Sequence, residues 1–354
     1  MDEKLIQVKD NERYENIECL RAISCFAIIA MHIQANTKYM IDGFVWDKVV
    51  PSWTWLVYLF LIISGFGMCC GYYEKIANGT IDIDQFYSKR FKKTVPFFSC
   101  LVCFAVIVEH SASGLYEGLM EITMSYGLLP NNELSILGVS WTLGVIFLFY
   151  MLFPYFVFLI RNKRRAWGTL VVSLLINQMC SQYFFTEKFV IDTFTPRHSF
   201  LFCTPFFVGG GILYLYRKEI ENFVAKYRWV VFGICVAATA VWYIVPRQVG
   251  NVQLFTVKSL VLFVLWLSYA ISVKSQFMDN RIMRYFGGIS MEMYLAQMVV
   301  FRVIEKIGLL YKFGYGWLSF GIVMVLENGL LVAGIELWKL IERKIMQLQK
   351  TGEL

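Results

Sequence analysis

Charged residues are scarce in this chain. Asp, Glu, Lys and Arg make up only 17% of its 354 residues, whereas 58% are hydrophobic and 17% are aromatic. A soluble globular domain carries roughly a quarter of its residues as charges. Because the charges lie between long apolar runs, this shortage excludes a soluble enzyme and predicts an integral membrane protein.

The chain also lacks low-complexity tracts, convincing internal repeats and a recognisable secretory signal. Its first apolar run follows a polar, charged stretch, 1–16, and contains Arg21 and His32, so we expect it to remain as a transmembrane helix. The connections between apolar runs are mostly too short for a second folded domain. We therefore predict one membrane domain over 1–354, with short cytoplasmic tails at about 1–16 and 342–354.

Ten apolar runs predict an all-α, polytopic transmembrane bundle of about ten spanning helices. A helix that crosses the hydrocarbon core needs about 20 mainly apolar residues. The third run is short and the tenth is long, so we expect tilted or kinked helices there. The predicted spans are 17–35, 52–72, 94–108, 139–160, 167–185, 198–216, 229–245, 254–273, 285–307 and 315–341.

Lysine and arginine are unevenly distributed between the connections. The segment 110–138 contains neither residue, whereas 89–93 contains four of them. Short loops rich in Lys and Arg stay in the cytoplasm, which predicts that both termini are cytoplasmic. The net charge of +7 follows from this topology and from contact with anionic lipid, so no nucleic-acid partner is expected. The opposite face holds only Lys38, Lys48, Lys188, Arg197, Arg247 and Lys312.

Two ionisable residues in the first span share one helix face. His32 follows Arg21 by eleven positions, which is three helical turns plus about 20°, with about 16 Å between their heights. Ionisable groups in hydrocarbon are costly and often mark function, and Glu327 near the middle of the last span is a further candidate. Alternatively, Arg21 extends to lipid phosphate and His32 is a hydrogen-bonded packing residue.

Five segments, in order along the chain, resemble the motifs of the membrane acyltransferase 3 family. Together with the predicted ten spans, they cover nearly the whole sequence. They are Glu18-Cys-Leu-Arg21 with the Arg-x10-His spacing to His32, Phe60-Leu-Ile-Ile-Ser-Gly-Phe66, the basic segment Phe86-Tyr-Ser-Lys-Arg-Phe-Lys-Lys-Thr-Val-Pro96, Trp141-Thr-Leu143 with Phe149-Tyr150 and Phe153-Pro154, and Gly288-Ile-Ser290 with Tyr294-Leu295.

This resemblance implies a membrane O-acyltransferase. Such an enzyme moves an acyl group, usually acetyl, from cytoplasmic acyl-CoA to a hydroxyl of a cell-surface or lipid-linked glycan. Arg21 and His32 match the family motif directly. The family's arginine pair corresponds to Arg90 and Lys93, and a lysine keeps the positive charge for CoA phosphates but loses a bidentate fork.

Two positions depart from the family pattern. Ile146 stands where many members carry a glutamate, and Gln297 stands where the last motif ends in histidine. A carboxylate that orients His32 or balances its charge must therefore come from elsewhere, and Glu327 is the candidate. We predict that His32 and Glu327 are catalytic and that Arg21, Arg90 and Lys93 bind acetyl-CoA, with no metal.

The predicted reaction uses His32 as a general base toward the attacking sugar hydroxyl. Direct transfer is preferred, and a transient acyl-enzyme on a hydroxyl side chain is the other route. The expected location is the cytoplasmic membrane of a bacterium, where an exopolysaccharide or another envelope glycan is O-acetylated. The alternative functions are an exporter of polysaccharide or lipid-linked sugar without acyl-transfer chemistry, and a non-catalytic membrane sensor.

Overall fold

The chain is helical almost throughout, as predicted. The computed structural model describes residues 14, 16–128, 136–186, 188, 195–249, 252–273 and 275–351. Within these ranges, the only β structure is an antiparallel ribbon of two short strands, β1 (Gln248–Val249) and β2 (Val252–Gln253). The all-α class predicted from the apolar runs is therefore confirmed.

Thirteen α-helices are present in the described residues, several of them joined by 3-10 or π-helical turns. They are α1 (Asn16–Ala35), α2 (Val50–Ser52), α3 (Val57–Ala77), α4 (Ile83–Glu109), α5 (Ala112–Ile122), α6 (Trp141–Met151), α7 (Phe153–Leu159), α8 (Lys163–Met179), α9 (Phe200–Ile244), α10 (Leu254–Ser272), α11 (Arg281–Gly288), α12 (Ser290–Lys306) and α13 (Trp317–Thr351).

Local sequence explains where two of these helices begin. The side chain of Ser111 accepts a hydrogen bond from the Gly114 amide at 2.9 Å, and that of Asn162 accepts one from the Arg165 amide at 3.0 Å. Both residues therefore cap the first turn of a helix, α5 and α8 respectively, by accepting from an amide that has no partner within the helix.

Six helices in the described ranges are long and apolar enough to cross a membrane. A seventh crossing is added if α6 and α7, which meet at 65°, are counted as one broken span. The six segments are Asn16–Ala35, Val45–Ala77, Ile83–Val108, Phe200–Ile244, Leu254–Ser272 and Trp317–Gln349. The structure therefore shows a polytopic membrane protein.

The ten predicted spans differ from these segments mainly in the second half of the chain. The spans 198–216 and 229–245 both fall within α9, whose 45 residues are interrupted by non-helical torsion angles at Tyr227. At 1.5 Å per residue, α9 is about 67 Å long, roughly twice the thickness of the hydrocarbon core. The spans 167–185 and 285–307 correspond mainly to α8 and α12, which have only 17 residues each.

The chain divides into two compact units, each assembled from three separate segments. The first unit comprises Met1–Leu20, Tyr58–Phe86 and Phe149–Arg284, and the second comprises Arg21–Val57, Tyr87–Leu148 and Tyr285–Leu354. All five predicted site residues, Arg21, His32, Arg90, Lys93 and Glu327, belong to the second unit.

In the first unit, α3 and α9 approach each other closely through glycines. A Cβ atom added at Gly65 would collide with the backbone carbonyl of Phe207, and one added at Gly210 would collide with that of Ile62. Glycines and other small residues allow two membrane helices to pack backbone against backbone. Gly65 and Gly210 thus have a packing role.

A buried asparagine connects three helices of the same unit. Asn177 on α8 donates a hydrogen bond to the carbonyl oxygen of Phe202 on α9 at 2.9 Å. Its own side-chain oxygen accepts a hydrogen bond from Thr256 on α10 at 3.0 Å. Polar side chains that pair across helices in this way hold a membrane bundle in register, because hydrocarbon offers no alternative partner.

The predicted tails can be compared with the structure only in part. Of the tail at 1–16, the structure describes residues 14 and 16, and the remainder lies outside the described residues. At the other end, α13 continues without a break from Trp317 to Thr351, through the start of the tail predicted at 342–354. Its 35 residues are about 52 Å long, more than the hydrocarbon core requires.

We expect Gly65→Ala to destabilise the protein by about 1–3 kcal/mol, because the added methyl group has no space beside the Phe207 carbonyl. Gly67→Ala is the matched control, since a Cβ atom at Gly67 meets nothing within 4 Å. Thermal unfolding of both variants in detergent measures the difference. Equal unfolding temperatures for the two variants would contradict the backbone contact.

Candidate active site

Helix α1 carries Arg21 and His32 on one face, and Cys25 lies on the same face between them. The Cys25 thiol donates to the carbonyl oxygen of Ser290, the first residue of α12, at 3.4 Å. The face of α1 that carries these three residues therefore contacts the beginning of α12 at Cys25. Both Arg21 and His32 are half-buried, as expected for polar groups that face the interior of a unit.

Basic and acidic groups meet near this contact. Glu292, in the first turn of α12, interacts electrostatically with Cys25 of α1 and with Lys93 of α4. Lys93 is exposed and Arg90, one turn earlier on α4, is half-buried. The other charged groups that act on Glu292 are Lys339 and Glu342 of α13, and Arg21 lies one turn before Cys25 on α1. The predicted acyl-CoA-binding residues are thus drawn to the same end of the second unit.

The contacts of α1 and α12 show that the two helices run in the same direction. The first contact joins Cys25 to Ser290, as described above. Beyond the ends of both helices, the Tyr39 hydroxyl donates to the carbonyl oxygen of Leu310 at 2.8 Å. Because the two contacts occur in the same order along both segments, α1 and α12 are parallel.

This register places Gln297 at the level of His32. Each residue is seven positions beyond the Cys25–Ser290 contact, or about 10 Å farther along its helix. Gln297 is fully buried, and its side-chain amide donates to the Tyr294 carbonyl oxygen at 2.9 Å. The position at which the family carries histidine is therefore internal, at the depth of the predicted base.

Glu327 on α13 lies within about two helical turns of that level. The Phe320 ring, near the start of α13, is 6.4 Å from the Tyr39 ring, and later on α13 Glu336 accepts a hydrogen bond from Tyr285 at 2.7 Å. Because Tyr285 precedes α12, α13 runs opposite to α1 and α12. Seven residues separate Glu327 from Phe320, as seven separate His32 from Tyr39.

The carboxyl group of Glu327 is almost completely inaccessible. The residue is only 1% exposed, and its Oε2 atom has no hydrogen-bond partner among the residues that the structure describes. Burial of such a group costs free energy. The structure therefore buries this acid without giving its Oε2 atom a partner within the described residues, and its catalytic role stays a prediction.

A further buried carboxylate belongs to a residue that the sequence placed in an external loop. Glu121, on α5, is fully buried, and its Oε1 atom accepts hydrogen bonds from the Leu137 amide at 3.2 Å and from the Ser140 hydroxyl at 3.1 Å. Burial raises its pKa to about 7, against the opposing effect of these two hydrogen bonds. Sequence reasoning missed it because an acid in a loop is ordinarily solvated.

The Glu121 cluster connects to α12. Tyr126 donates to the Ser140 carbonyl oxygen at 2.5 Å, and two residues farther on, the Thr142 hydroxyl lies 2.7 Å from the Tyr294 hydroxyl. Tyr294 is three positions before Gln297, so Thr142 lies within about 5 Å of the level of His32. The segment that follows α4 therefore packs within the second unit.

Together these groups can perform acid–base chemistry beside a site for an anion. The His32 imidazole and the buried Gln297 amide lie at one level, two buried carboxyl groups belong to the same unit, and Arg21 lies about 16 Å from His32 along α1. No group of three or more potential metal ligands occurs among the described residues. The cationic side chains of α1 and α4 are suited to binding phosphate groups. The buried groups near His32 are suited to proton transfer away from water.

A family model, described as an acyltransferase domain, matches residues 14–327, which include every site residue discussed above. The chain belongs to the acyltransferase 3 family. It is therefore a membrane acyltransferase, and the matched region extends across both compact units. No functionally curated protein and no solved structure matches the chain.

The structure brings two of the family motifs into direct contact. Thr142 of the Trp-Thr-Leu segment and Tyr294 of the Tyr-Leu segment share the 2.7 Å hydrogen bond between their hydroxyl groups. Ile146, which replaces the family glutamate, is 8% exposed on α6. An isoleucine there is satisfied by apolar burial, so this position provides no carboxylate and the nearby acids become more important.

We expect Glu327→Gln to leave the free energy of unfolding unchanged or to raise it by up to about 2 kcal/mol. A neutral amide costs less to bury than a carboxylate without a partner. Thermal unfolding in detergent tests this, with Glu305→Gln at an exposed position of α12 as the control. A clear loss of stability in Glu327→Gln alone would show that the carboxylate is there to stabilise the fold.

Proposed function

We propose that this acyltransferase moves an acetyl group from cytoplasmic acetyl-CoA to a hydroxyl of an envelope glycan or a lipid-linked sugar. The observation that carries the proposal is the register of the second unit. The register supports a place for His32 in the interior beside Gln297, about 16 Å along α1 from Arg21, and the interaction of Glu292 with Lys93 supports a basic end of the site there.

The basic residues fit the donor. Acetyl-CoA presents phosphate groups at one end and a thioester at the other, and separated positive and basic groups match this division. Arg21 and Arg90 would bind phosphate through their guanidinium groups, and Lys93 as a compact point charge. Acetyl-CoA supplies the activated acetyl group, and the chain's own residues hold it and move the proton.

His32 is the general base in this mechanism. It accepts the proton of the attacking sugar hydroxyl as the hydroxyl oxygen bonds to the thioester carbonyl carbon. The carbon–sulfur bond breaks, and the imidazolium returns its proton to the departing CoA thiolate. Glu327 stabilises the imidazolium. No residue needs to be acylated in this sequence, which makes direct transfer the simpler route.

We further propose ten membrane crossings, both termini in the cytoplasm, and a location in the cytoplasmic membrane of a bacterium. The length of α9 and its break at Tyr227 support two crossings there, and α8 and α12 support two more. The basic segment near Lys93 then faces the cytoplasm, where acyl-CoA is available.

We expect His32→Ala to lose at least about a hundredfold in acetyl transfer, because a positioned general base contributes that much or more. The measurement is transfer of label from acetyl-CoA to envelope glycan by membranes at matched expression. Gln34→Ala, on the opposite face of α1, is the control and should retain activity. Full activity in His32→Ala would remove His32 from the chemistry, and glycan export without any transfer by wild type would favour an exporter.

Lys93→Met is expected to raise the KM for acetyl-CoA about tenfold, since one charge-assisted contact to phosphate is lost. Lys93→Arg should keep or lower that KM, because a guanidinium group binds phosphate through two hydrogen bonds. The neighbouring exposed residue provides the control Lys92→Met, with no change expected. Initial rates measured at varied acetyl-CoA concentrations give the KM of each variant. An unchanged KM in Lys93→Met would show that this lysine does not bind acetyl-CoA.

A further inference from the structure

Five buried side-chain oxygen atoms of the second unit have no hydrogen-bond partner within the described ranges. Three of them belong to residues that are themselves buried, namely Oε2 of Glu121, Oε1 of Gln297 and Oε2 of Glu327, and the other two are Oε2 of Glu292 and Oδ1 of Asn328. Gln297 lies at the level of His32, and Glu121 is connected to that level through Ser140 and the Thr142–Tyr294 pair. Buried acceptors without donors are rare because each one costs free energy. A ligand rich in hydroxyl groups would supply the missing donors.

Glu121 is the most informative of the three. One carboxylate oxygen is fixed by the Leu137 amide and the Ser140 hydroxyl, which leaves the other oriented but without a donor. A purely structural acid would have both oxygens satisfied, since stability favours complete hydrogen bonding. An acid held firmly at one oxygen, with the second oxygen still able to accept, is arranged to bind something else.

The helix that carries Glu121 is bounded by strained backbone on both sides. His110 and Met124 flank α5 and adopt φ angles of 51° and 53°. These angles lie in the left-handed region, which residues other than glycine rarely adopt. Such strain is typical of segments that function by holding or changing a conformation. Two such residues, one before and one after α5, hold the helix in its orientation relative to the flanking segments.

The inner face of α5 packs closely against α4. The contact is made at Gly118, which lies against the side chains of Val102 and Val106. The outer face of α5 is exposed at Leu115, Tyr116 and Leu119. Because glycine has no side chain, the backbone of α5 lies close to α4, and this contact helps to fix the position of Glu121 one turn later.

We propose that Oε2 of Glu121 binds a hydroxyl group of the acceptor sugar. This assignment rests on the acetyl-transfer function proposed above and deepens it by naming the acceptor site. Glu121 then provides on α5 the carboxylate that the chain lacks at Ile146. The hydroxyl donates its hydrogen to the carboxylate, and no covalent bond changes at Glu121.

Glu121→Gln tests the proposal without emptying the space. The folded pKa of about 7 is above the ordinary value of 4.5, so any stability from this group is present below about pH 4.5 and is lost as the pH rises through 7. At pH 8 the glutamine variant is therefore expected to unfold at a temperature no lower than wild type. Glu117→Gln, one turn earlier on the same helix, is the matched control.

The assay uses the full chain in lipid nanodiscs, labelled acetyl-CoA, and the envelope glycan fraction of the cells that produce the protein. Each substrate is varied in turn. For Glu121→Gln we expect kcat/KM for the glycan fraction to fall by about tenfold to a hundredfold, as for loss of one hydrogen bond to a charged group. The KM for acetyl-CoA should remain within about twofold of wild type, and Glu117→Gln should match wild type in both.

Several results would overturn the assignment. Equal kcat/KM for glycan in wild type and Glu121→Gln would do so, as would a raised KM for acetyl-CoA, or a lowered unfolding temperature that accounts for the lost activity. Each of these leaves the acetyl-transfer function intact. Absence of label with wild type, in contrast, would overturn the transfer function and this assignment with it.

Discussion

The structure depends on the cost of placing polar groups where water is absent. Hydrocarbon supplies neither donors nor acceptors, so each polar side chain within the helices must be paired by the protein or kept for a ligand. Asn177 shows the first outcome, with both ends of its amide used between helices. Glu327 shows the cost of the constraint, because it is buried and its Oε2 atom has no hydrogen-bond partner within the described residues.

The same constraint explains why the site residues are distributed along one axis. Arg21 and Lys93 carry permanent charges, which are least costly at a membrane surface, whereas a neutral imidazole is tolerated deeper. Helices α1 and α12 run parallel and α13 runs in the opposite direction. Their packing brings residues that are far apart in sequence to similar heights in the second unit. The separation of 265 positions between Cys25 and Ser290 in the chain is closed by helix packing alone.

Much of this was predictable from sequence, because it depends on local periodicity. The alignment of Arg21 with His32 follows from helical geometry, and the packing role of Gly65 follows from its place in an apolar run. Glu121 was not predictable, since its burial requires contacts with Leu137 and Ser140 that no local pattern encodes. The sequence also did not predict that the connection between the spans 198–216 and 229–245 is helical except at Tyr227, because a polar stretch between two apolar runs normally indicates a loop.

The mutual contact of Gly65 and Gly210 has a genetic consequence. Each residue meets backbone atoms of the opposite helix, and neither has a side chain that could become smaller. A bulkier residue at either position therefore cannot be compensated by a substitution at the other. In a search for second-site suppressors, intragenic revertants of such a mutant should arise by restoring glycine or by altering helix geometry elsewhere, never by a complementary exchange across the contact.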